Sequence, residues 1–289
     1  MNYIIFDMEW NQPSDITAMV TEPLPVTGEI IEIGAVKLDD SFKIIGELRL
    51  YITPKYYTRM HKRIAALTGI RDKDLMTRGI PFPEAYEKFR EFCGKEYGFM
   101  TWSMSDVPML IDNMLLHGID VSDLPVCYDI QRIFGREIMR SDTRYALDSA
   151  LAILNEKGDT AHDALNDSRN TAIICSHLDL DEYLEEYGAQ VFAGQPLRQV
   201  YSDHREALND PALAEVTCPW CGGRLDMEPW IRGERCYMSC GTCPEEDEFL
   251  IQLAMTRLPS NTYRARRLMY EMSDDLWDIY MDRKEPLGV

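Results

Sequence analysis

Two carboxylates near the start of the chain, Asp7 and Glu9, are separated by one residue at the end of the apolar run Tyr3-Ile4-Ile5-Phe6. On a strand that spacing sends both side chains to one face, a few ångströms apart. A buried pair at that distance would force one member to stay protonated unless a cation lay between them. An isolated D-x-E is also what a strand end meeting water looks like, so further acids are needed. Asp106 ends the stretch Trp102-Ser103-Met104-Ser105-Asp106, where an apolar strand gives way to a helix opened by Pro108. His162 and Asp167 follow in Ala161-His162-Asp163-Ala164-Leu165-Asn166-Asp167. Five residues apart, they would sit about 140° out of register on one helix. His162 must therefore precede the helix, a position that suits a mobile base better than a fixed ligand. Asp163 and Asp167 share a helical face, and spacing alone leaves either as the ligand.

A second cluster has different chemistry. Of eight cysteines, Cys93, Cys127 and Cys175 stand alone, whereas Cys218, Cys221, Cys236, Cys240 and Cys243 crowd one segment. Cys218-x2-Cys221 and Cys240-x2-Cys243 are separated by 18 residues, the spacing of a zinc ribbon, in which four thiolates close a tetrahedral structural site. Cys236-x3-Cys240 is an alternative second knuckle. Clustering of this kind points to metal in a reducing compartment. The acidic run Pro244-Glu245-Glu246-Asp247-Glu248 argues against phosphate binding beside Cys243.

The elements that must carry these groups are legible as apolar runs. Strands are expected at residues 3–8, at Glu29–Leu38, at Glu47–Thr53, at Phe99–Trp102 and at Val126–Ile130. Helical spacing covers Arg63–Leu67, Pro83–Cys93, Asp106–Leu116, Tyr145–Leu154 and roughly His162–Ser176. Three strands followed by alternating units indicate an α/β domain with a mixed sheet. A first, α/β domain is thus expected over 1–180, an acidic, partly helical connector over 181–216, and the ribbon with a final helix over 217–289. The ribbon itself would run from Thr217 to about Ala254. Leu268, Met272, Leu276 and Tyr280 recur every four residues and predict a helix over Tyr263–Met281.

A net charge of −19 disfavours tight nonspecific binding to long duplexes. Cation-loaded carboxylates still present a positive site to a short nucleic acid. Between Lys55 and Lys73 the balance reverses, with Lys55, Arg59, Lys62, Arg63, Arg71 and Lys73 against Asp72 alone. That stretch is the expected backbone-tracking stripe. No run of about 18 apolar residues could cross a bilayer, and the N-terminus reads as a strand rather than a signal peptide, so a cytoplasmic location is expected.

The segments Phe6-Asp7-Met8-Glu9-Trp10, Asp106 in its junction and His162-x4-Asp167 resemble the three motifs of the DEDDh exonucleases, a branch of the ribonuclease H-like superfamily. The resemblance extends to Arg63–Ile70 and Tyr145–Asp148, spans about residues 1–178, and is strongest toward the sporulation-inhibitor-like and histone-mRNA-exonuclease-like branch. It implies a ribonuclease H-like mixed five-stranded sheet flanked by helices. It also implies that Asp7, Glu9, Asp106 and Asp167 hold two Mg²⁺ or Mn²⁺ ions while His162 activates water, a set suited to in-line displacement at phosphorus. Asp167 rather than Asp163 is the ligand by that pattern. The implied activity is 3′ to 5′ hydrolysis of single-stranded nucleic acid, RNA favoured over DNA, releasing nucleoside 5′-monophosphates. The resemblance places Met8, Trp10, Leu67, Thr68 and Ile70 around the terminal nucleotide. Trp10 would stack on a base or lie under the sheet, and Trp102 is expected in the core. Rival readings are a DNA proofreading or repair exonuclease, and a non-catalytic adaptor that binds nucleic acid or a protein through the ribbon or last helix.

Overall fold

A computed structural model describes residues 1–194 and 197–284, which divide into two compact units. The first comprises residues 1–14, 26–119 and 125–188; the second comprises 15–25, 120–124 and 189–289.

The first unit is built on five strands: β1 (Asn2–Asn11), β2 (Glu29–Leu38), β3 (Ile44–Tyr51), and, after the helices α1 (Lys62–Thr68), α2 (Asp72–Arg78) and α3 (Phe82–Cys93), β4 (Tyr97–Thr101). Helix α4 (Asp106–Leu116) leads to β5 (Val126–Asp129), followed by α5 (Ile130–Glu137), α6 (Leu147–Ile153), α7 (Ala164–Cys175) and α8 (Leu180–Tyr187). The order is β3-β2-β1-β4-β5. β1 runs antiparallel to β2 and parallel to β4, so the sheet is mixed, as expected from the strand pattern.

β1 is central, and Ile4, Ile5, Phe6 and Met8 are all buried because both faces of the sheet are covered. On one side Phe6, Phe89 and Phe99 meet edge-on or stacked, with ring centroids 4.8–5.7 Å apart. α7 packs on β1 and β2 at an unusually close approach. A Cβ on Gly34 would lie 2.0 Å from the Leu165 nitrogen and 2.1 Å from the Ala164 carbonyl carbon, so only glycine lets the helix start sit there. Ser168 locks the contact by donating to the Gly34 carbonyl at 2.9 Å.

The second unit contains β6 (Gly188–Ala193), β7 (Val200–Tyr201), α9 (His204–Leu208), α10 (Pro211–Ala214), β8 (Asp226–Met227), β9 (Ile231–Arg232), β10 (Tyr237–Thr242), β11 (Glu248–Arg257), β12 (Tyr263–Glu271) and α11 (Asp274–Lys284). Its antiparallel sheet runs β6-β12-β11-β10-β8.

The helix expected over residues 263–281 is corrected here. Residues 263–271 form β12, paired with β11 along its whole length from Phe249↔Glu271 to Arg257↔Tyr263, and the helix begins only at Asp274. The turn between the two strands is closed by Leu258 and Thr262, with Asn261 at a left-handed φ of 63°. A four-residue recurrence is an even spacing, so it also fits one face of a strand. Among the described residues no helix is long and apolar enough to cross a membrane.

Candidate active site

β1 carries Asp7 and Glu9 past the edge of the apolar core, and a bulge after Glu9 turns Trp10 out of register with β2. Asp106 follows β4, which runs parallel to β1 and so ends on the same side of the sheet as Asp7 and Glu9. Its carboxylate opens α4 and accepts the Met8 backbone N–H at 3.1 Å, tying the helix start to β1 between the two β1 acids. Asp167 lies one turn into α7, and its Oδ2 accepts the His162 N–H at 2.9 Å. Its Oδ1 is buried with no hydrogen-bond partner among the described residues. Glu9, His162 and Asp167 offer ligand atoms within 4.8 Å of one another.

His162 precedes the helix and is exposed, at a left-handed φ of 63°. Histidine is among the few side chains found there with some frequency. Asp163 is the N-cap of α7: its carboxylate accepts Asn166 N–H and is ion-paired with Arg49. Of the two acids that helical spacing left open, Asp163 is engaged in capping, whereas Asp167 keeps one buried oxygen without a hydrogen-bond partner among the described residues and offers a ligand atom within 4.8 Å of those of Glu9 and His162.

Electrostatics describe the same convergence. Burial first, then the neighbouring carboxylates Asp106, Asp167, Glu9 and Glu32, holds Asp7 well above the usual carboxylate range. Burial likewise pushes Glu9 up to about 8, with Asp167 the next cause, and Asp106 up to about 7, partly offset by the Met8 N–H. Asp167 is raised as well, chiefly by burial. Carboxylates so placed keep protons near neutrality unless divalent cations replace them. The donor set, all hard oxygens with one oxygen unpartnered and buried, fits Mg²⁺ or Mn²⁺.

Two residues of this neighbourhood were not singled out from sequence. Glu32, only 1% exposed within β2, accepts the Ala164 N–H at 3.4 Å, and its other oxygen lies 3.5 Å from Arg49 Nε. Arg49, on β3 opposite Gly34, joins Glu32 to Asp163 and so ties the start of α7 to the sheet. The available signal was a charged residue inside an otherwise apolar strand, Glu-Ile-Ile-Glu-Ile, which a buried strand tolerates only with a partner.

The expected nucleotide contacts are not alike. Met8 (3% exposed) and Ile70 (5%) are core side chains, the latter packed with Ile31, Ile64 and Leu75. Leu67 is 46% exposed, and the Thr68 hydroxyl is engaged with the Ile64 carbonyl and the Ile70 N–H at the end of α1. Trp10 is half-buried, with its ring against Gly28. Trp102 lies against the core, its indole N–H donating to the Tyr145 carbonyl and its ring 5.8 Å from Phe134. All six basic residues from Lys55 to Lys73 are exposed. Their segment is anchored to the strands: Glu29 accepts N–H groups of Lys55, Tyr56 and Tyr57, and the Asn11 amide donates to the carbonyls of Tyr57 and Arg59.

In the second unit the sulfurs of Cys218, Cys221 and Cys243 lie within 4.8 Å of one another. Cys240 is not part of that group. Within β10 it pairs with Leu250, and a three-residue offset along extended backbone turns it to the side opposite Cys243. Cys236 is also outside the group and half-buried.

Among solved structures, the chain is similar to the nuclease domain of 3′hExo, a DEDDh family member bound to rAMP, with 22% identity and a TM-score of 0.52 over 62% of this chain and 92% of that one. Cell-death related nuclease 4 (CRN-4) gives 20% identity and 0.54 over 68% and 72%. E. coli exonuclease I in complex with an oligonucleotide gives 14% and 0.51 over 83% of this chain but 54% of that one, so this chain spans about half of it. These likenesses establish the fold. No curated protein matches the chain. The sequence profile of the RNase_T family, described as exonuclease, matches residues 4–175, from β1 to the end of α7. That segment is more than half of the molecule and contains the whole acidic cluster with His162: the chain belongs to the RNase_T family and is an exonuclease.

Proposed function

We propose that the protein shortens single-stranded nucleic acid from its 3′ end, preferring RNA to DNA, and releases nucleoside 5′-monophosphates one at a time. The observation that carries this reading is the mutual proximity of Asp7, Glu9, Asp106 and Asp167, charge neighbours of one another, in which Glu9, Asp167 and the exposed His162 offer ligand atoms within 4.8 Å and one Asp167 oxygen is buried and unpartnered among the described residues. The four carboxylates would hold two Mg²⁺ or Mn²⁺ ions, which when bound neutralise charge on the attacking and leaving oxygens of an in-line displacement.

The chain's own groups perform the rest. His162 accepts the proton of the attacking water at a ring nitrogen, from a position that leaves the ring free to swing toward solvent. Asp167 steadies it by accepting its backbone N–H. The exposed lysines and arginines between Lys55 and Lys73 attract the phosphates of the incoming strand, and Leu67 and Trp10 offer apolar surface to its terminal base. RNA preference is supported by the likeness to 3′hExo bound to rAMP and to a 3′-exonuclease in 3′-end specific recognition of a histone mRNA stem-loop. A DNA substrate is the second reading, favoured by the larger share of the chain, 83%, that resembles exonuclease I bound to a dA oligonucleotide. Eight cysteines without a disulfide fit a reducing, cytoplasmic setting.

The test is a 5′-labelled single-stranded oligonucleotide, as RNA and as DNA of equal sequence, incubated with Mn²⁺ or Mg²⁺. A ladder receding from the 3′ end, faster for RNA and absent for Asp7→Ala and Asp167→Asn, is expected. Shortening that survives Asp7→Ala, or immediate loss of the 5′ label, would overturn the mechanism or the direction. Binding without any shortening would leave only the adaptor reading.

A further inference from the structure

The loops that gather Cys218, Cys221 and Cys243 are built as metal knuckles. Cys218 N–H donates to the Gly223 carbonyl, and Gly222, at a left-handed φ of 70°, returns its N–H to the Cys218 carbonyl. The resulting tight turn aims backbone donors at sulfur: Trp220 and Cys221 N–H at Cys218 Sγ (3.4 and 3.5 Å), and Gly223 N–H at Cys221 Sγ (3.4 Å). Such donors stabilise thiolates rather than thiols. The second loop reaches across, since a Cβ on Gly223 would lie 2.7 Å from the Pro244 ring. Three sulfurs within 4.8 Å suit one tetrahedral ion, whose S–S edges are about 3.8 Å for Zn–S bonds near 2.3 Å.

Three thiolates leave one position, and Cys240 does not fill it. Its thiol is on the face of β10 where Tyr280 donates to Glu228 at 2.6 Å and Lys284 bonds the same oxygen, and its charge neighbours are Glu248, Glu228 and Lys284. The loop after Cys243 supplies another donor. Glu246, at a left-handed φ of 69°, turns the chain so that Glu246 N–H meets the Cys243 carbonyl and Cys243 N–H meets the Asp247 carbonyl. Asp247 Oδ2 thereby comes within 3.2 Å of Cys243 Sγ, its side chain's single hydrogen bond among the described residues, although like Cys240 it stands outside the group of atoms that lie within 4.8 Å of one another. The S–O edge of a zinc tetrahedron is about 3.5 Å, from bonds near 2.3 and 2.0 Å. We propose that this site binds Zn²⁺ through the thiolates of Cys218, Cys221 and Cys243 and the carboxylate of Asp247, with Cys240 a core thiol of the sheet.

The proposal is independent of the nuclease reading and is tested on the full chain by metal content and spectroscopy. Wild type, Cys240→Ser, Asp247→Asn and Asp247→Cys are loaded with Zn²⁺ for chelator competition and with Co²⁺ for absorption. The sulfur-to-cobalt charge-transfer band scales with the number of thiolates. Cys240→Ser should keep the zinc content, affinity and band of wild type. Asp247→Asn should lower zinc affinity about tenfold or more with little change in the band. Asp247→Cys should raise the band by about one third as a fourth thiolate enters. A band reduced by about one quarter, or zinc lost, in Cys240→Ser would overturn the assignment in favour of four cysteines. Unchanged affinity in Asp247→Asn would overturn it in favour of a bound water. Should Asp247→Asn unfold, Asp247→Cys and Cys240→Ser decide the same question.

Discussion

Replacing Gly34 by alanine adds one methyl group where the backbone of α7 leaves no room. The new carbon would lie 2.0 Å from the Leu165 nitrogen, 2.1 Å from the Ala164 carbonyl carbon and 2.4 Å from its oxygen, whereas ordinary contact begins at 3.4 Å. The start of α7 must withdraw by about 1.4 Å, the difference between 3.4 and 2.0 Å, or the strand must bend by as much. Neither yields easily, because the Ser168 hydroxyl and Glu32 carboxylate hold the same contact. Overpacking of this kind costs about 1–3 kcal/mol of stability. The catalytic cost should be larger in proportion. His162 and Asp167 flank Ala164 and move with it, and a shift of about 1 Å in a reacting geometry costs on the order of 100-fold in rate. The basic stretch that attracts substrate is borne by another part of the unit, so KM should change little. Steady-state cleavage of a single-stranded oligonucleotide, with thermal melting alongside, reads both effects. Gly46→Ala is the control on the neighbouring strand, since the nearest atom there, 3.2 Å away, belongs to the mobile Phe92 ring. A Gly34→Ala protein with kcat within about twofold of wild type would refute the claim that the α7 start sets the geometry of the site.

Arg49→Ala removes the ion pair to Asp163 and leaves Glu32 without its cation, so kcat should fall about tenfold with KM nearly unchanged, and Arg49→Lys should recover part of the loss; equal activity of all three proteins would show that the clamp does not position His162. The carboxylates also set a pH dependence in metal-free protein. Glu9 and Asp106, raised to about 8 and about 7, bind more protons folded than unfolded, so stability is full below about pH 4 to 5 for these groups and is lost as pH rises through 7 and 8. In EDTA, Tm should therefore fall between pH 5.5 and about 8.5, and Mg²⁺ or Mn²⁺ should restore it most at the alkaline end, where protons no longer compete; a flat profile without metal would mean the acids are not buried together. Changing Lys62 and Arg63 to alanine together should raise KM without altering kcat and reduce the salt dependence of log KM by up to about 1.4, at roughly 0.7 per phosphate contact on a single strand. An unchanged salt slope would place the substrate elsewhere.

The strands of the first unit were legible because each is an apolar run closed by a breaker, and a sheet covered on both faces demands such runs. Helices α2 and α5 were not anticipated, for different reasons. α2 buries only Leu75, so it has almost no apolar periodicity to detect. α5 follows β5 with no turn residue between Asp129 and Ile130, and the Asp129 side chain itself caps the helix. In the second unit, β12 was read as helix because Leu268 and Met272 are four apart, a spacing common to both structures. What decides is the partner: nine consecutive pairings with β11, prepared by a Pro-Ser-Asn turn whose meaning depends on β11 being a strand already.

The same dependence on distant partners separates the legible part of the acidic site from the rest. Asp7 with Glu9 needs only strand alternation, and Asp106 needs only a strand-to-helix junction. Choosing between Asp163 and Asp167 requires knowing that Arg49, 114 residues upstream, takes the former, and that Gly34 admits the helix closely enough to bring the latter to Glu9. Neither fact is local. In the cysteine cluster the spacing indicates a tetrahedral thiolate site, but a C-x2-C motif brings both sulfurs to one ion only when it lies in a turn. Cys218 and Cys221 do lie in one. Cys240 and Cys243 straddle the end of β10, and extended backbone sends residues three apart to opposite sides. A ligand motif is therefore evidence for a metal only jointly with the local conformation, and the glycines offer a sequence signal for it: Gly222 and Gly223 permit the first turn, whereas Gly241, lying between Met227 and Ile251, serves the packing of a strand.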